Sequence, residues 1–455
     1  MSLRNKFAVA MGRLTRTILR ALGRQASTLP GRVTLTLASD TLAYMAQNRR
    51  IVCVTGTNGK TTSTSLLTDV LTGLGVRVTT NRSGANMQMG LMTTLMSSDP
   101  GEVSVLEVDE AAFAKCAVDL NPTAVLVTNI FPDQMDRYGS IAAIRNLIKD
   151  GCAKTRATLI LCGDDPNVVA IGEQVENTCI YYGADPDTHD PLPHSLNRIA
   201  GTGEEYHCPY CNHLLNYKSQ VMRQQGDFSC PNCFFRHPKL DFSFKIETGG
   251  QLSVAATQAG VQAKGLLPIE GYFNAFNACG VAAVAKTLYE TVSLSDVVDQ
   301  FKKAKPQYGR LERIPYSDKE LCFVLIKNAA GMEQGVRLVT EMDDIGGILF
   351  VINNRPADGE DVTWIWDTEL ENMTLPAVPY GASGSCRSAV AERLEAVFSP
   401  HQHVTIEADA VKLTLEMLDT CPPGKCLYVL PNYTAMLELR ERLAEPLHFS
   451  KQWGE

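Results

Sequence analysis

Residues Val54–Thr62 read VTGTNGKTT, and the apolar run that begins at Arg50 leads directly into them. A helical pattern follows over Thr61–Leu74, so this glycine-rich stretch lies between a predicted strand and a predicted helix. At such a junction the loop N–H groups and the positive end of the helix dipole favour a phosphate group. The segment therefore predicts an α/β domain that binds a nucleotide.

The residue types of this loop suggest a role for each position. Gly56 and Gly59 allow the backbone to approach a ligand closely. Lys60 would pair with the β- and γ-phosphates, and the Thr61 hydroxyl would bind Mg²⁺. The spacing between the glycines is shorter than in the general P-loop pattern. The alternative, a glycine-rich turn with a chance Lys-Thr pair, is disfavoured by the strand–loop–helix context. The ATP-binding residues predicted here are Gly56, Thr57, Asn58, Gly59, Lys60, Thr61 and Thr62.

The size and charge of the chain limit the classes of protein it can belong to. Its 455 residues predict two to four domains at roughly 100–200 residues per domain. The net charge of −8 argues against a general nucleic-acid binder. We expect no spanning helix, because the sequence contains no sufficiently long apolar run.

The N-terminal segment, residues 1–48, begins with a basic amphipathic pattern. It lacks the continuous apolar centre of a secretory signal. One interpretation is a solvated helix packed on the body, and the other is a surface that contacts an anionic membrane peripherally. The basic residues are Arg4, Lys6, Arg13, Arg16, Arg20 and Arg24, and the apolar residues between them are Phe7, Val9, Met11, Leu14, Ile18, Leu19 and Leu22.

Beyond residue 50, short apolar runs alternate with helical segments, which predicts a parallel sheet covered on both faces. A polar, proline-rich stretch begins near Asp185, and the cysteine-bearing piece after it extends to about Pro238. We predict that this piece is an insertion, at about residues 200–240, into a central domain that spans residues 49–304. A second boundary near Lys302–Tyr308 begins a smaller α/β domain at residues 305–455.

Four of the 14 cysteines are clustered in the predicted insertion. Cys208 and Cys211 form one CxxC pair, and Cys230 and Cys233 form a second, with 18 residues between the pairs. This spacing predicts a tetrahedral structural zinc site of the ribbon type. The other ten cysteines lie in apolar contexts and are interpreted as reduced thiols.

Three histidines lie close to the cysteine pairs in the sequence. We expect them to be surface residues and not metal ligands, because four sulfurs already complete the coordination shell. They are His207, His213 and His237.

The short loop GTNGKT is the form found in Mur ligases and folylpolyglutamate synthases, and further segments resemble the same superfamily in the expected order. Gln134 stands where the family's DHxD segment has a histidine. On these motifs the chain is identified as resembling the Mur ligase superfamily. The segments are LEVDE at Leu106–Glu110, TNI at Thr128–Ile130 followed by Asp133 and Asp136, GYFNAFN at Gly271–Asn277, GRLE at Gly309–Glu312, and Lys327-Asn328.

This resemblance implies a fold, cofactors and site residues. The fold is a Mur-ligase central P-loop domain with a parallel sheet and an inserted four-cysteine zinc ribbon, followed by a smaller Rossmann-like α/β domain. The cofactors are ATP and Mg²⁺, with structural Zn²⁺. The implied roles are Mg²⁺ binding by Glu107 with Thr61, Glu110 as a second candidate for the metal, adenine contact by Asn274 and Asn277, phosphate contact by Arg310, and ribose contact by Lys327 and Asn328.

The four-cysteine insert and the segment DGEDVTWIWD at Asp358–Asp367 resemble one branch of the superfamily. Members of this branch amidate lipid II together with a GatD-type glutamine amidotransferase. The resemblance implies conversion of the α-carboxylate of D-glutamate in the stem peptide to D-isoglutamine through an acyl phosphate. Asp367 is the implied catalytic carboxylate, which would hold ammonia and accept a proton. It also implies a cytoplasmic heterodimer that acts at the inner membrane face in peptidoglycan synthesis.

The chain itself offers a poor candidate for the glutamine-hydrolysing nucleophile. Cys386 lies in the segment Gly384–Ser388, which lacks the last glycine of a nucleophile elbow. We therefore expect a partner chain to supply the ammonia.

Two other functions are compatible with the loop alone. An amino-acid-adding ligase of the Mur or folylpolyglutamate type is disfavoured by the cysteine insert and the WIWD segment. A non-catalytic scaffold that binds ATP is disfavoured by the intact set Lys60, Thr61, Glu107 and Arg310.

Overall fold

The computed structural model describes residues 3–24, 26–81, 84–96, 101–133, 135–185, 190–191, 206–247, 251–269, 271–304, 310–398 and 402–449. The chain divides into two compact units. Unit 1 is built from the described residues within 1–131, 140–198 and 205–304, and unit 2 from those within 132–139 and 305–455. None of the described helices is both long and apolar enough to cross a membrane.

Unit 1 begins with three helices, α1 (Leu3–Ala21), α2 (Leu29–Leu37) and α3 (Thr41–Ala46). The basic amphipathic pattern forms α1, as the sequence predicts. Helices α1 and α2 approach closely because Gly12 has no side chain: a Cβ there would lie 2.0 Å from Thr34 Oγ1. The short helices α2 and α3 carry too few turns for their apolar periodicity to predict them.

The core of unit 1 is a nine-stranded sheet in the order β12-β11-β10-β6-β5-β4-β1-β3-β2. A separate three-stranded sheet holds β7, β8 and β9. The strands are β1 (Arg50–Thr55), β2 (Val78–Thr80), β3 (Val103–Glu107), β4 (Ala124–Val127), β5 (Thr158–Cys162), β6 (Cys179–Ala184), β7 (Asp190–Pro191), β8 (Asn216–Met222), β9 (Gln225–Ser229), β10 (Phe242–Glu247), β11 (Gln251–Ala256) and β12 (Val261–Leu266).

The helices of this region follow the strands in alternation. They are α4 (Lys60–Gly73), α5 (Gln88–Leu95), α6 (Glu110–Leu120), α8 (Ile141–Ala153), α9 (Pro166–Gly172), α10 (Tyr272–Leu288) and α11 (Leu294–Asp299), while α7 (Met135–Tyr138) groups with unit 2. Strands β3, β4 and the end of β1 are fully buried, which explains their continuous apolar sequences.

The predicted parallel arrangement is confirmed for the strands from β2 across to β10. Strands β10, β11 and β12 are antiparallel to one another, which the sequence analysis did not predict. The connections between them are only a few residues long, and a parallel pairing needs a crossover of a dozen or more residues. The cysteine-bearing segment lies between β6 and β10, which are parallel neighbours in the sheet.

Unit 2 contains a six-stranded sheet in the order β13-β14-β18-β15-β16-β17. Only β13 is antiparallel to its neighbour. Helices α12 and α13 pack on one face and α14 and α15 on the other, so two apolar cores enclose the sheet. The elements are β13 (Arg310–Tyr316), β14 (Lys319–Val324), α12 (Ala329–Thr340), β15 (Ile345–Val351), β16 (Tyr380–Ser383), α13 (Arg387–Val397), β17 (Val404–Ile406), α14 (Ala410–Thr420), β18 (Cys426–Pro431) and α15 (Tyr433–Leu443).

Candidate functional site

The loop Gly56–Gly59 joins β1 to α4, at the edge where β1, β3 and β4 all end. Gly56 has a φ of 120° and Gly59 a φ of 85°, in the region that favours glycine. A Cβ on Gly56 would lie 2.4 Å from Thr128 Oγ1, and one on Gly59 would lie 2.3 Å from Asn277 Oδ1. Both glycines are therefore required by conformation and by space.

Lys60 is buried at the start of α4 and is folded back over the loop that precedes it. Its Nζ donates to the carbonyl oxygen of Gly56 and, at 3.2 Å, to that of Thr57. It also forms an ion pair of 2.8 Å with Glu110 Oε1. The ammonium group is thus already positioned at the loop, with Glu110 as its counter-ion. This pairing differs from the role of metal ligand that the sequence suggested for Glu110, and the spacing along the chain did not indicate it.

Glu107, the predicted Mg²⁺ ligand, is buried at the end of β3, next to the loop that follows β1. Its Oε1 accepts a hydrogen bond of 2.9 Å from Asn86 Nδ2. Asn81 holds the backbone, because its side chain accepts from the Glu107 N–H at 2.9 Å and donates to the Glu107 carbonyl at 2.8 Å. The sequence analysis missed both asparagines, although Asn81 directly follows β2 at the same sheet edge. Thr61 is half-buried in the first turn of α4.

The TNI segment that follows β4 supports the phosphate loop. The backbone N–H of Thr57 donates to the Asn129 carbonyl at 2.9 Å. Asn58 N–H donates to Asn129 Oδ1 at 2.9 Å, and Thr128 Oγ1 donates to the Asn58 carbonyl at 2.7 Å. Thr128 and Asn129 therefore fix the loop backbone, a role that the motif alone did not reveal.

Asn277 lies on α10 with its side chain against the phosphate loop. Its Oδ1 accepts from Ser63 Oγ at 3.1 Å, and its Nδ2 is buried without a hydrogen-bond partner among the described residues. An unsatisfied buried donor costs about 1–3 kcal/mol, which a ligand acceptor would offset. Asn274, at the start of the same helix, is also buried.

A buried acidic pair, Asp164 and Asp165, follows β5 and connects the cysteine-bearing segment to the TNI segment. Asp165 Oδ2 accepts from the Ile130 N–H at 2.8 Å, and Gln224 Nε2 donates to the Ile130 carbonyl at 2.8 Å. Burial raises the pKa of Asp165 to about 6, although several hydrogen bonds act in the opposite direction. Gln224 lies in the turn between β8 and β9, so the insert reaches the residues that hold the phosphate loop.

The prediction that His237 is a surface residue is wrong. Its Nε2 lies 2.8 Å from the fully buried Asp164 Oδ1, and only 14% of its side chain is exposed. The position of His237 close to the cysteines in the sequence could not reveal its partner Asp164, which follows β5. This contact depends on how the insert packs on the sheet. His207 and His213 are exposed, as expected.

The four clustered cysteines come together in the insert, with all Sγ atoms within 4.8 Å of one another. The Sγ–Sγ distances are 3.6 Å for Cys208–Cys233, 3.4 Å for Cys211–Cys230 and 3.8 Å for Cys211–Cys233. Tetrahedral Zn–S bonds of about 2.3 Å place neighbouring sulfurs roughly 3.8 Å apart. The arrangement fits a closed four-thiolate metal site, and the distances are too long for disulfides.

A backbone N–H at His213 donates to the Cys211 thiolate and lowers its pKa to about 6. Burial instead raises the pKa of Cys208, in the same cluster, to about 12, so a metal would have to displace its proton, because thiolate is the binding form.

In unit 2, the predicted nucleotide residues have structural partners of their own. Lys327 forms an ion pair with Asp133. Asn328 caps α12, with Oδ1 accepting from the Gly331 N–H at 2.9 Å. Arg310 begins β13, but its side chain lies outside the described residues. The roles predicted for these three residues toward ATP stay predictions.

The predicted catalytic Asp367 is exposed and follows a single 3-10 turn, Thr363–Ile365. Its backbone N–H donates to the Trp364 carbonyl at 3.1 Å. Its catalytic role stays a prediction. Asp358, in the same segment, is more constrained: its carboxylate accepts from the N–H and the hydroxyl of Thr434 at the start of α15.

Comparison with known proteins first defines the class. The profile of the Mur ligase middle domain matches residues 54–206, which include the phosphate loop. A pseudomurein peptide ligase type C from Methanothermus fervidus has a similar structure, with a TM-score of 0.66 at 20% identity, over 90% of this chain and 80% of that one. MurF ligase from Thermotoga maritima, solved in complex with ADP, has a TM-score of 0.59 at 16% identity, over 90% of this chain and 84% of that one. The fold is that of Mur ligases.

More specific matches cover the whole chain. The profile described as MurT ligase C-terminal matches residues 325–436. The MurT subunit of lipid II isoglutaminyl synthase (glutamine-hydrolyzing) from Streptococcus pneumoniae is 34% identical over 98% of both chains. The MurT subunit from Staphylococcus aureus is 27% identical over 96% of this chain and 97% of its own. The chain belongs to the MurT family, and is an ATP-dependent carbon–nitrogen ligase.

Proposed function

We propose that this protein amidates the α-carboxylate of D-glutamate in the lipid II stem peptide to D-isoglutamine, at the expense of ATP. The observation that carries the proposal is the assembled phosphate loop, with Lys60 buried and positioned, in a chain of the MurT family. The S. pneumoniae relative is named as a subunit of lipid II isoglutaminyl synthase, and formation of an isoglutaminyl group from a glutamyl group is an amidation. The alternative function, an amino-acid-adding ligase, would be recognised in the same assay by the mass of its product.

In the proposed reaction, a carboxylate oxygen attacks the γ-phosphorus of ATP, and the bond to the β-phosphate oxygen breaks, which gives an acyl phosphate and ADP. Lys60 and the loop N–H groups would stabilise the charge that develops on the transferred phosphoryl group. Thr61 and Glu107 are the residues that would hold Mg²⁺, which neutralises phosphate charge when bound. Their position beside the phosphate loop and the asparagines that orient Glu107 fit this role.

Ammonia would then attack the acyl carbon, and the carbon–oxygen bond to phosphate would break. Asp367 would hold the ammonia and accept the proton that the new C–N bond releases. Its exposure leaves it accessible to a substrate or a partner. By the family resemblance, Arg310, Lys327 and Asn328 are further residues that would contact ATP.

We further propose that Cys208, Cys211, Cys230 and Cys233 hold a structural zinc ion. Four sulfurs at near-tetrahedral separations leave no open position for a substrate. Zinc would close the insert into one rigid unit.

A GatD-type glutamine amidotransferase would supply the ammonia in a heterodimer, and the complex would work in the cytoplasm at the inner membrane face. Within the described chain, Cys386 is an unsuitable nucleophile because it is buried and burial raises its pKa. A catalytic thiol needs the opposite environment.

The test incubates the protein with ATP, lipid II and ammonium chloride, and measures phosphate release and product mass. We expect a product in which one carboxyl OH is replaced by NH₂. Asp367→Asn should lose this product, and Glu360→Gln, an exposed change in the same segment, should retain it. Addition of an amino acid instead of ammonia would favour the alternative ligase. Full activity of Asp367→Asn would remove that residue from the mechanism.

A further inference from the structure

Helix α1 presents an apolar stripe to solvent. The stripe residues are between 50% and 85% exposed, and they recur at helical spacing along five turns, so they share one face. An apolar stripe of this length on a solvent-exposed surface indicates a binding partner. Its members are Leu3, Phe7, Leu14 and Ile18 on α1, and Leu22 directly after the helix.

The opposite face of α1 is already used. Ala8, Val9 and Gly12 are buried, and Gly12 lies against Thr34 of α2. The fold therefore fixes α1 through its small residues and leaves the large apolar side chains pointing outward. The stripe is not part of the core of unit 1.

Basic side chains line one side of this stripe. Lys6, Arg13 and Arg20 are exposed and follow one another at seven-residue spacing, which places them in a row along the helix. The first 39 residues carry seven basic side chains and no acidic one, although the chain has a net charge of −8. Five of these seven lie on α1, where Arg4 pairs with Asp40 of the segment before α3, so α1 is basic although the whole chain is acidic.

We propose that α1 lies in the surface of an anionic phospholipid bilayer, with the stripe in the acyl-chain boundary and the basic row on the phosphates. An amphipathic helix with basic flanks binds at this depth without spanning the membrane. A protein partner of ordinary composition would not require a row of positive charges beside the stripe, whereas an anionic lipid surface would attract it. We therefore favour the lipid surface. The inference rests on α1 alone and is independent of the proposed amidation.

The test measures co-sedimentation of the full-length protein with phosphatidylcholine vesicles that contain or lack phosphatidylglycerol. We expect binding to the anionic vesicles, weakened at high salt because screening shortens the range of the basic charges. Phe7→Asp combined with Ile18→Asp should lower the partition coefficient by at least about tenfold, which corresponds to about 1.4 kcal/mol. Replacement of Lys6, Arg13 and Arg20 by Glu should abolish the preference for anionic lipid.

The matched control is Val118→Asp, because Val118 is 60% exposed on α6 and lies outside the stripe. It should bind as wild type does, and circular dichroism should show that all variants are folded. Equal binding by wild type and the stripe variant would overturn the proposal. So would a stripe variant that changes only the oligomeric state in light scattering, since the stripe would then be a protein contact. The stripe variant should still amidate lipid II that is solubilised in detergent, since no membrane is then needed. This assay separates a failure of membrane binding from a failure of the proposed amidation.

Discussion

At the scale of single residues, the phosphate loop depends on a buried charge pair. Lys60 and Glu110 have 10% and 7% of their side chains exposed and lie 2.8 Å apart. Removal of one partner from a buried pair leaves an uncompensated charge, whereas an exposed pair contributes little. The pair therefore links the stability of unit 1 to the loop that would bind ATP.

We expect Glu110→Gln to lower the free energy of unfolding by about 3 kcal/mol, because Lys60 would lose its counter-ion. MgATP should restore part of this loss, since the phosphates supply negative charge beside Lys60. Urea unfolding with and without nucleotide measures both effects.

The control for this change is Glu102→Gln, which breaks the exposed ion pair with Arg77. Its cost should stay below about 1 kcal/mol and should not respond to nucleotide. Equal losses for the two variants would show that the buried pair has no special role.

A second residue-scale prediction concerns His237 and pH. Burial favours its neutral form, but the hydrogen bond and charge of Asp164, with a smaller contribution from Asp227, raise its pKa above the ordinary value. The folded state thus binds the proton more tightly than the unfolded state. This stabilisation is fully present below about pH 6.5 and is lost as pH rises through the folded pKa.

We expect the free energy of unfolding to decrease over this pH range, and His237→Gln to flatten the decrease. His403→Gln removes an exposed histidine and should leave the slope unchanged. The raised pKa of Asp165 adds a decrease at lower pH, between about 3.9 and its folded value of about 6. A wild-type profile without slope above pH 6.5 would contradict the role of His237.

At the scale of elements, two successive sets of hydrogen bonds connect the β8–β9 hairpin of the insert to the phosphate loop. Gln224 in its turn binds the carbonyl of Ile130. Asn129 and Phe131, the two neighbours of Ile130 in the sequence, form hydrogen bonds with Thr57 in the phosphate loop. The insert therefore supports the predicted nucleotide site, although it contributes no residue to the loop itself.

We expect Gln224→Ala to weaken ATP binding by roughly fivefold, because a hydrogen bond of about 1 kcal/mol that orders the supporting segment is lost. Binding of a fluorescent ATP analogue measures the affinity without catalysis. Gln262→Ala is the control, since Gln262 binds Ser253 on the antiparallel side of the sheet. Unchanged affinity in Gln224→Ala would separate the insert from the site.

At the scale of the whole molecule, the two units can be followed by different signals. All three tryptophans, Trp364, Trp366 and Trp453, come after residue 305. Tryptophan fluorescence therefore reports on unit 2, whereas the cysteine cluster belongs to unit 1.

If the cluster holds zinc, the purified protein should contain about one zinc per chain by elemental analysis. We expect Cys230→Ser, or a strong chelator, to lower the thermal midpoint of unit 1 in circular dichroism, since metal binding contributes to folding free energy. The thermal midpoint of unit 2, followed by tryptophan fluorescence, should shift less. Cys421→Ser, outside the cluster, should leave the zinc content unchanged. A zinc-free wild type with unaltered stability would contradict the metal site.

Much of the fold followed from local signals in the sequence. The apolar run before Gly56, the helix after Lys60 and the alternation over residues 103–184 predicted a parallel α/β sheet, because buried strands and amphipathic helices have distinct periodicities. The antiparallel hairpins β10–β12 were missed, since polarity alone does not give strand direction. The loop residues were predicted by their type, but the contact of Asn129 with the loop and the contacts of Asn81 with Glu107 were not.

The sequence by itself determined the phosphate loop, the four-cysteine spacing, the basic amphipathic pattern of α1 and the family resemblance, because each depends on residues close together in the chain. Only the tertiary structure decided which distant groups meet. Glu110 became the partner of Lys60, His237 the partner of Asp164, and Gln224 a support of the TNI segment. The reason is physical: these contacts form where the carboxyl ends of parallel strands converge, and that convergence depends on the strand order of the folded sheet.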